Sequence, residues 1–136
     1  MDLGSINWLA VVVSVMAAMV IGYIWYSPAV FYKPWLAGIG KSWENRPTSP
    51  MASLFVFTIL AALVEAVALA FVLKAMNATS AGLGAMSGFM IWLGFVAPTN
   101  LVNKLYAGHG WKVWMIEAGD HLIYLLVAGA ILGGWH

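Results

Sequence analysis

Residues 111–135 read W-K-V-W-M-I-E-A-G-D-H-L-I-Y-L-L-V-A-G-A-I-L-G-G-W. The run is long enough to cross a bilayer as a helix, yet it carries Glu117, Asp120 and His121. Ionisable groups at that depth cost roughly 2.5–3.5 kcal/mol each on insertion scales, so they face protein or an aqueous cavity. The rest of the chain is therefore expected to be arranged around this helix. Composition agrees. The 136 residues are 63% hydrophobic and 8% charged, whereas a soluble domain carries about a quarter charged residues. This excludes an ordinary soluble globule. A net charge of +1 gives no basic field for nucleic acid. Without cysteine there is no disulfide and no thiolate metal site. The first residues, M-D-L-G-S-I-N-W, lack a basic n-region and a cleavage motif, so the first apolar run reads as a retained helix.

Four apolar segments are expected, at about 6–26, 51–73, 83–103 and 112–134, forming an all-α four-helix transmembrane bundle of two helical hairpins in one domain. Ser5 is the expected N-cap of the first segment, with Trp8, Trp25 and Tyr26 at the interfacial belts. Ser14, Ala18 and Gly22 form a small-residue stripe that invites close helix approach. Residues 27–50 are a long aromatic and proline-rich loop, in which Phe31, Tyr32, Trp35, Leu36 and Ile39 suit the headgroup layer while Lys33 and Lys41 reach water. An ordinary loop with a few anchoring aromatics is the plainer alternative. Ser49-Pro50 marks the start of the second segment. There Glu65 shares a face with Thr58, Ala61, Ala62, Ala68 and Leu69, which is expected to turn inward. Pro98 kinks or ends the third segment, and Thr99, Asn100 and Asn103 can partner the carbonyls it frees. Gly84 with Gly88, and Gly129 with Gly133, are GxxxG pairs that offer contacts to a second copy, pointing to a homo-oligomer, a dimer being the simplest. Lys33, Lys41, Arg46, Lys104 and Lys112 fall in the first and third loops and Lys74 in the second. The positive-inside rule predicts loops one and three in the cytoplasm and both termini outside, and the cell inner (cytoplasmic) membrane is the expected location.

Glu117, Asp120, His121 and Tyr124 follow i, i+3, i+4, i+7 and share one helical face. Helical rise places Glu117 roughly 9 Å to the loop side of the bilayer middle, Asp120 and His121 about 3–5 Å, and Glu65 just across it. Asn100 and Tyr23 come out near the level of Glu117, and Ser14 near that of Glu65. Three readings stay open. One is a hydrogen-bonded knot locking the helices in register, with Asn100 and Tyr23 completing the partners. Another is a proton or cation pathway through Glu65, Asp120, His121 and Glu117, since imidazole titrates near neutrality. The third is a divalent metal on Glu117, Asp120 and His121, which wants further ligands from another helix. Glu65 has its own plain reading, a protonated side chain bonded to a neighbour. His109 and His136 read as solvated, and Trp92 as a packing residue whose indole N–H needs an acceptor. Asn77-Ala-Thr79 fits the glycosylation pattern, an unspecific signal. Gly22, Pro28 and Lys33 are echoed by Gly94, Pro98 and Lys104, though the spacings differ by a residue or two.

The pieces N-W-L-A-V (7–11), W-Y-S-P (25–28), K-P-W (33–35), G-F-V-A-P-T (94–99), V-W (113–114), A-G-D-H (118–121) and G-A-I-L-G (129–133) together resemble the pattern of a known family. The chain resembles small bacterial four-helix membrane proteins, the domain-of-unknown-function family 1761. The resemblance spans nearly the whole chain and implies the four-helix fold, with no settled activity. Its members tend to carry asparagine at the position of Glu117, which implies a hydrogen-bonding role there more than a carboxylate relay. The functional expectation is a channel- or transporter-like protein for protons or small cations. The alternative is a non-catalytic scaffold or accessory subunit that docks a partner through residues 28–43. No cofactor is expected. An enzyme is the least favoured class, because no nucleophile–base pair is evident.

Overall fold

The computed structural model describes residues 2–48 and 51–136, and all its regular elements are helical. In order they are α1 (Trp8–Trp25), α2 (Tyr32–Gly38), α3 (Met51–Ala75), α4 (Ala81–Ile91), α5 (Ala97–Tyr106) and α6 (Gly110–Gly134). A π-helical turn, Trp92–Val96, joins α4 to α5, so the two run on as a single span, Ala81–Tyr106. Four spans are thus long and apolar enough to cross a membrane, as the sequence predicts, and each outruns or closely matches its expected limits.

The ends are set by local chemistry. α1 starts later than expected and is capped by Asn7, whose Oδ1 accepts from the Ala10 amide at 3.2 Å. Ser5 is not the cap. It lies in a preceding 3-10 turn, and its hydroxyl donates to the Asp2 carbonyl. Asn7 takes the role because its other amide atom, Nδ2, donates to the Trp135 carbonyl at 3.0 Å and ties the two ends of the chain together. The expected start of the second segment at Ser49-Pro50 lies outside the described residues. α3 stops at a left-handed Asn77 (φ 54°), with the Ala78 amide returning to the Leu73 carbonyl. Ser80 then caps α4 by accepting from the Leu83 amide. Pro98 neither ends the third span nor leaves it α-helical throughout. It lies in the first turn of α5, where a missing N–H is tolerated, and the π turn before it absorbs the mismatch. Pro28 follows α1 outside any helix, so the echo between the two prolines is not structural.

α6 is the central post, packing against α1, α2, α3, α4 and α5. Its closest neighbour is α4. A Cβ on Gly84 would overlap the Gly129 carbonyl, one on Gly129 the Gly84 carbonyl, and one on Gly88 the Leu125 carbonyl. Gly133 meets the Ser80 carbonyl and the Gly84 backbone in the same way. The glycine pairs expected to receive a second copy are thus spent on each other within one chain. Backbone contact of this kind is how helices gain dispersion energy where lipid offers no hydrophobic drive.

Helices α1, α3 and α6 form the core on the side of the termini, around Ala10, Val11, Ala66, Leu69, Leu125, Ala128 and Leu132. Towards the first loop α1 and α3 part. Every described α3 side chain up to Ala61 is exposed, whereas Ala62, Ala66, Leu69, Ala70 and Leu73 are buried. This corrects two expectations. Thr58, Ala61 and Ala68 do not turn inward with Ala62 and Leu69; the buried stripe runs one position round, through Ala66 and Ala70. The Thr58 hydroxyl bonds back to the Leu54 carbonyl. The stripe on α1 closes at fully buried Ser14 but not at Gly22, where an added Cβ would meet nothing within 4 Å.

The first loop folds back onto α6. In α2, Leu36 is 2% exposed and Gly38 sits against the Val113 side chain. The Trp25 indole donates to the Ile116 carbonyl at 2.8 Å, and its ring lies 4.6 Å from that of Phe31, tilted by 45°. Tyr32 and Trp35 pair at 5.9 Å. These aromatics pack on one another and on α6, while Lys33 and Lys41 stay exposed as expected.

The glycine contact makes a direct prediction. Gly84→Ala is expected to lower unfolding stability in detergent by about 1–3 kcal/mol, the usual range for forced overpacking. Gly82→Ala, on the same helix with nothing within 4 Å of the added carbon, is the control and should leave stability unchanged or slightly raised. Equal melting curves for the two variants would contradict the packing described.

Candidate functional site

The divergence of α1 from α3 leaves a cavity of about 390 Å³ between α1, α3 and α6. α1 contributes Ala18, Met19, Gly22 and Tyr23, with Tyr26 just past its end. α3 contributes Leu54, Phe55, Thr58, Ala61, Ala62 and Glu65, and α6 contributes Asp120, His121 and Tyr124. Gly22 gives the space its width, because no side chain fills it. Glu65, Asp120 and His121 are half-buried there, and among the described residues no hydrogen bond or ion pair joins them. Tyr124 is buried and committed, its hydroxyl donating to the Ala62 carbonyl at 2.9 Å across from α6 to α3.

A second cavity, about 370 Å³, lies on the side of α5. It is lined by Tyr26, Phe95, Val96, Thr99, Asn100, Asn103, Lys104, Glu117 and His121. Glu117 Oε2 is 2.9 Å from Lys104 Nζ, and Glu117 Oε1 accepts from the Trp35 indole at 3.4 Å. The ion pair therefore joins α6 to α5, and the weaker indole contact adds α2. Asn100 presents a buried Oδ1 with no hydrogen-bond partner among the described residues. Tyr26 and His121 line both cavities and stand between them.

The face of four polar residues on α6 is thus divided. Glu117 belongs to the second cavity, Asp120 and Tyr124 to the first, and His121 to both. The expected knot does not form. His121 makes no hydrogen bond to Asp120 or Glu117, and Asn100 and Tyr23 do not complete it. Tyr23 is 81% exposed at the rim of the first cavity, and Tyr26, one turn nearer the loop, takes the inner place. Ser14 lies outside both cavities, its hydroxyl bonded to the Ala10 carbonyl at 2.9 Å. Thr99, Asn100 and Asn103 do not cap carbonyls near Pro98; the Trp114 indole bonds the Ala97 carbonyl instead, at 2.9 Å. Among the described residues no three His, Cys, Asp or Glu side chains converge closely enough to hold a metal ion. His136 is exposed as expected, whereas His109 is only half-exposed. His109 buries Nδ1, and His136 Nδ1 lies 3.0 Å from the Gly133 carbonyl.

Sequence reasoning missed two partners. The sequence marks Lys104 only as a loop charge, although an acid within a span calls for a base at its level. Its position at the end of α1 marks Tyr26 only as a belt residue, whereas it lines both cavities. Trp92 met its expectation, donating its indole proton to the Ala118 carbonyl at 2.7 Å.

Beyond this geometry stands family membership. The sequence matches the family described as Protein of unknown function (DUF1761) over residues 9–133, and the chain belongs to that family. No curated protein and no solved structure matches it.

Two anchors around the cavities can be weighed separately. Lys104→Met is expected to destabilise the protein by about 1–3 kcal/mol, because it leaves the Glu117 carboxylate half-buried and unpaired. Adding Glu117→Gln should recover most of that loss. Additive losses in the two single and the double variants would show the ion pair to be uncoupled. Tyr124→Phe should cost about 0.6 kcal/mol, the usual worth of one interhelical hydrogen bond in a membrane.

Proposed function

We propose that this chain is a small membrane carrier of protons or small cations whose site is the cavity holding Glu65, Asp120 and His121. The observation that carries the reading is the sharing of Tyr26 and His121 between the two cavities. That arrangement makes a stepped route from the Lys104–Glu117 mouth, through His121, to Asp120 and Glu65. Imidazole passes protons readily near neutrality, and a carboxylate without a fixed partner is free to accept one. In the orientation set by the basic loops, with both termini outside the cytoplasmic membrane, the mouth faces the cytosol.

A carrier is favoured over an open pore by what lies beyond Glu65. The apolar layer of Val11, Ala66, Leu69 and Ala128 separates the cavity from a hollow of about 340 Å³ at the other end, lined by Asn7, Lys74, Asn77 and His136 among others. Passage would need these helices to part, as in alternating access. The reading assigns no catalysis and needs no second copy, since the glycine pairs that suggested one are already occupied.

A second reading, a non-catalytic accessory subunit, draws on the helix-to-helix bonds of Trp25, Trp92, Trp114 and Tyr124, which fix register without any transport. Exposed Val30 and Trp43 would then offer the first loop to a partner.

Flux separates the two. In proteoliposomes holding a pH-sensitive dye, the native chain is expected to dissipate an imposed proton gradient. Glu65→Gln and Asp120→Asn should each slow it at least about tenfold, the usual scale for losing a positioned proton-transfer group. Flux that is absent, or unaltered in both variants, would favour the accessory role.

A further inference from the structure

We infer that the cavity between α1, α3 and α6 binds an organic ammonium ion that enters sideways between α1 and α3. This rests on the reading of that cavity as the cation site and names what it is built to hold. Charge is the first support. Glu65 and Asp120 line the cavity beside His121, and no lysine or arginine does; Lys104, which lines the second cavity, is already paired with Glu117. The second support is aromatic. Tyr23, Tyr26, Phe55 and Tyr124 surround the same space, and ring faces attract ammonium groups, most strongly where water is scarce.

Size and wall chemistry decide between cation classes. At about 390 Å³ the space falls within the range of small-molecule sites and far exceeds a dehydrated metal ion. An inorganic cation stripped of water wants several oxygens converging on one point, and among the described residues no three acidic or histidine side chains do so. The remaining wall is hydrocarbon, with Met19, Leu54 and Ala61 prominent, which suits the carbon body of an amine. The entrance is lateral. Tyr23, Leu54 and Phe55 are 81%, 51% and 49% exposed at the rim, where a bilayer would lie, so a lipophilic amine already dissolved in the membrane reaches the acids without crossing the apolar layer.

The test uses the full chain in lipid nanodiscs, with empty nanodiscs subtracted to remove partitioning. Benzylammonium and benzyltrimethylammonium are titrated calorimetrically, and benzyl alcohol and benzoate serve as neutral and anionic comparators. Saturable binding of both ammonium ions and neither comparator is expected. Glu65→Gln and Asp120→Asn should each weaken it roughly tenfold, the order expected for losing one charge contact in a desolvated site. Gly22→Leu keeps both acids and fills the space instead. Its first added carbon meets nothing within 4 Å, so the variant should melt like the native chain while failing to bind. Ammonium ions that bind no better than benzyl alcohol, or that bind the well-folded Gly22→Leu chain as tightly as the native one, would overturn the site. Ammonium binding by a chain that moves no protons keeps the site and removes the carrier; proton flux without ammonium binding does the reverse.

Discussion

The backbone contact between α4 and α6 sets the terms for the whole bundle. With Gly84 against Gly129 and Gly88 against Leu125, the two helices lie closer than any pair carrying side chains at those points could. In a bilayer such closeness replaces the hydrophobic drive that assembles soluble bundles. It fixes one side of α6, and α6 in turn is the element that all other helices touch. The face of α6 away from α4 is then free to carry Asp120 and His121, because its neighbours there, α1 and α3, need not pack tightly against it.

The polar groups within the spans are treated in two distinct ways. Glu117 and Tyr124 are tied to definite partners, Lys104 and the Ala62 carbonyl, and they act as cross-braces between helices. The indoles of Trp25, Trp92 and Trp114 do the same, each giving its proton to a carbonyl on another helix or across the hairpin turn. Glu65, Asp120 and His121 have no such tie and face open space. A bundle that ties so many of its polar side chains to another helix leaves these three around a cavity, which is the ground on which the proposed site rests.

The architecture could be read from the chain because bilayer thickness imposes a length on apolar runs and water punishes the rest. Span positions, the need to shelter the α6 polar face, and the acceptor sought by Trp92 all followed from that constraint. What escaped was relative rotation. Glu117 and Asp120 share a helical face on paper, but a face about 100° wide is enough to serve two different neighbours. Nor does a glycine state whom it admits. Gly84 and Gly129 meet a sister helix, while Gly22 admits nothing and leaves a hollow, and only the assembled helices distinguish the two. Lys104 illustrates the same limit, since its value as a partner depends on the course of the third span beyond Trp92.

That course is set by the π turn at Trp92–Val96. One additional residue in a helix rotates everything after it by roughly 100° about the axis. The third span is therefore a shaft with two phases. Its first half aims glycines at one stretch of α6, and its second half, beyond the π turn, aims Lys104 at Glu117 on the same helix. An unbroken α-helix of identical composition could serve only one of these alignments, so a single surplus residue lets one rod act as both bearing and latch.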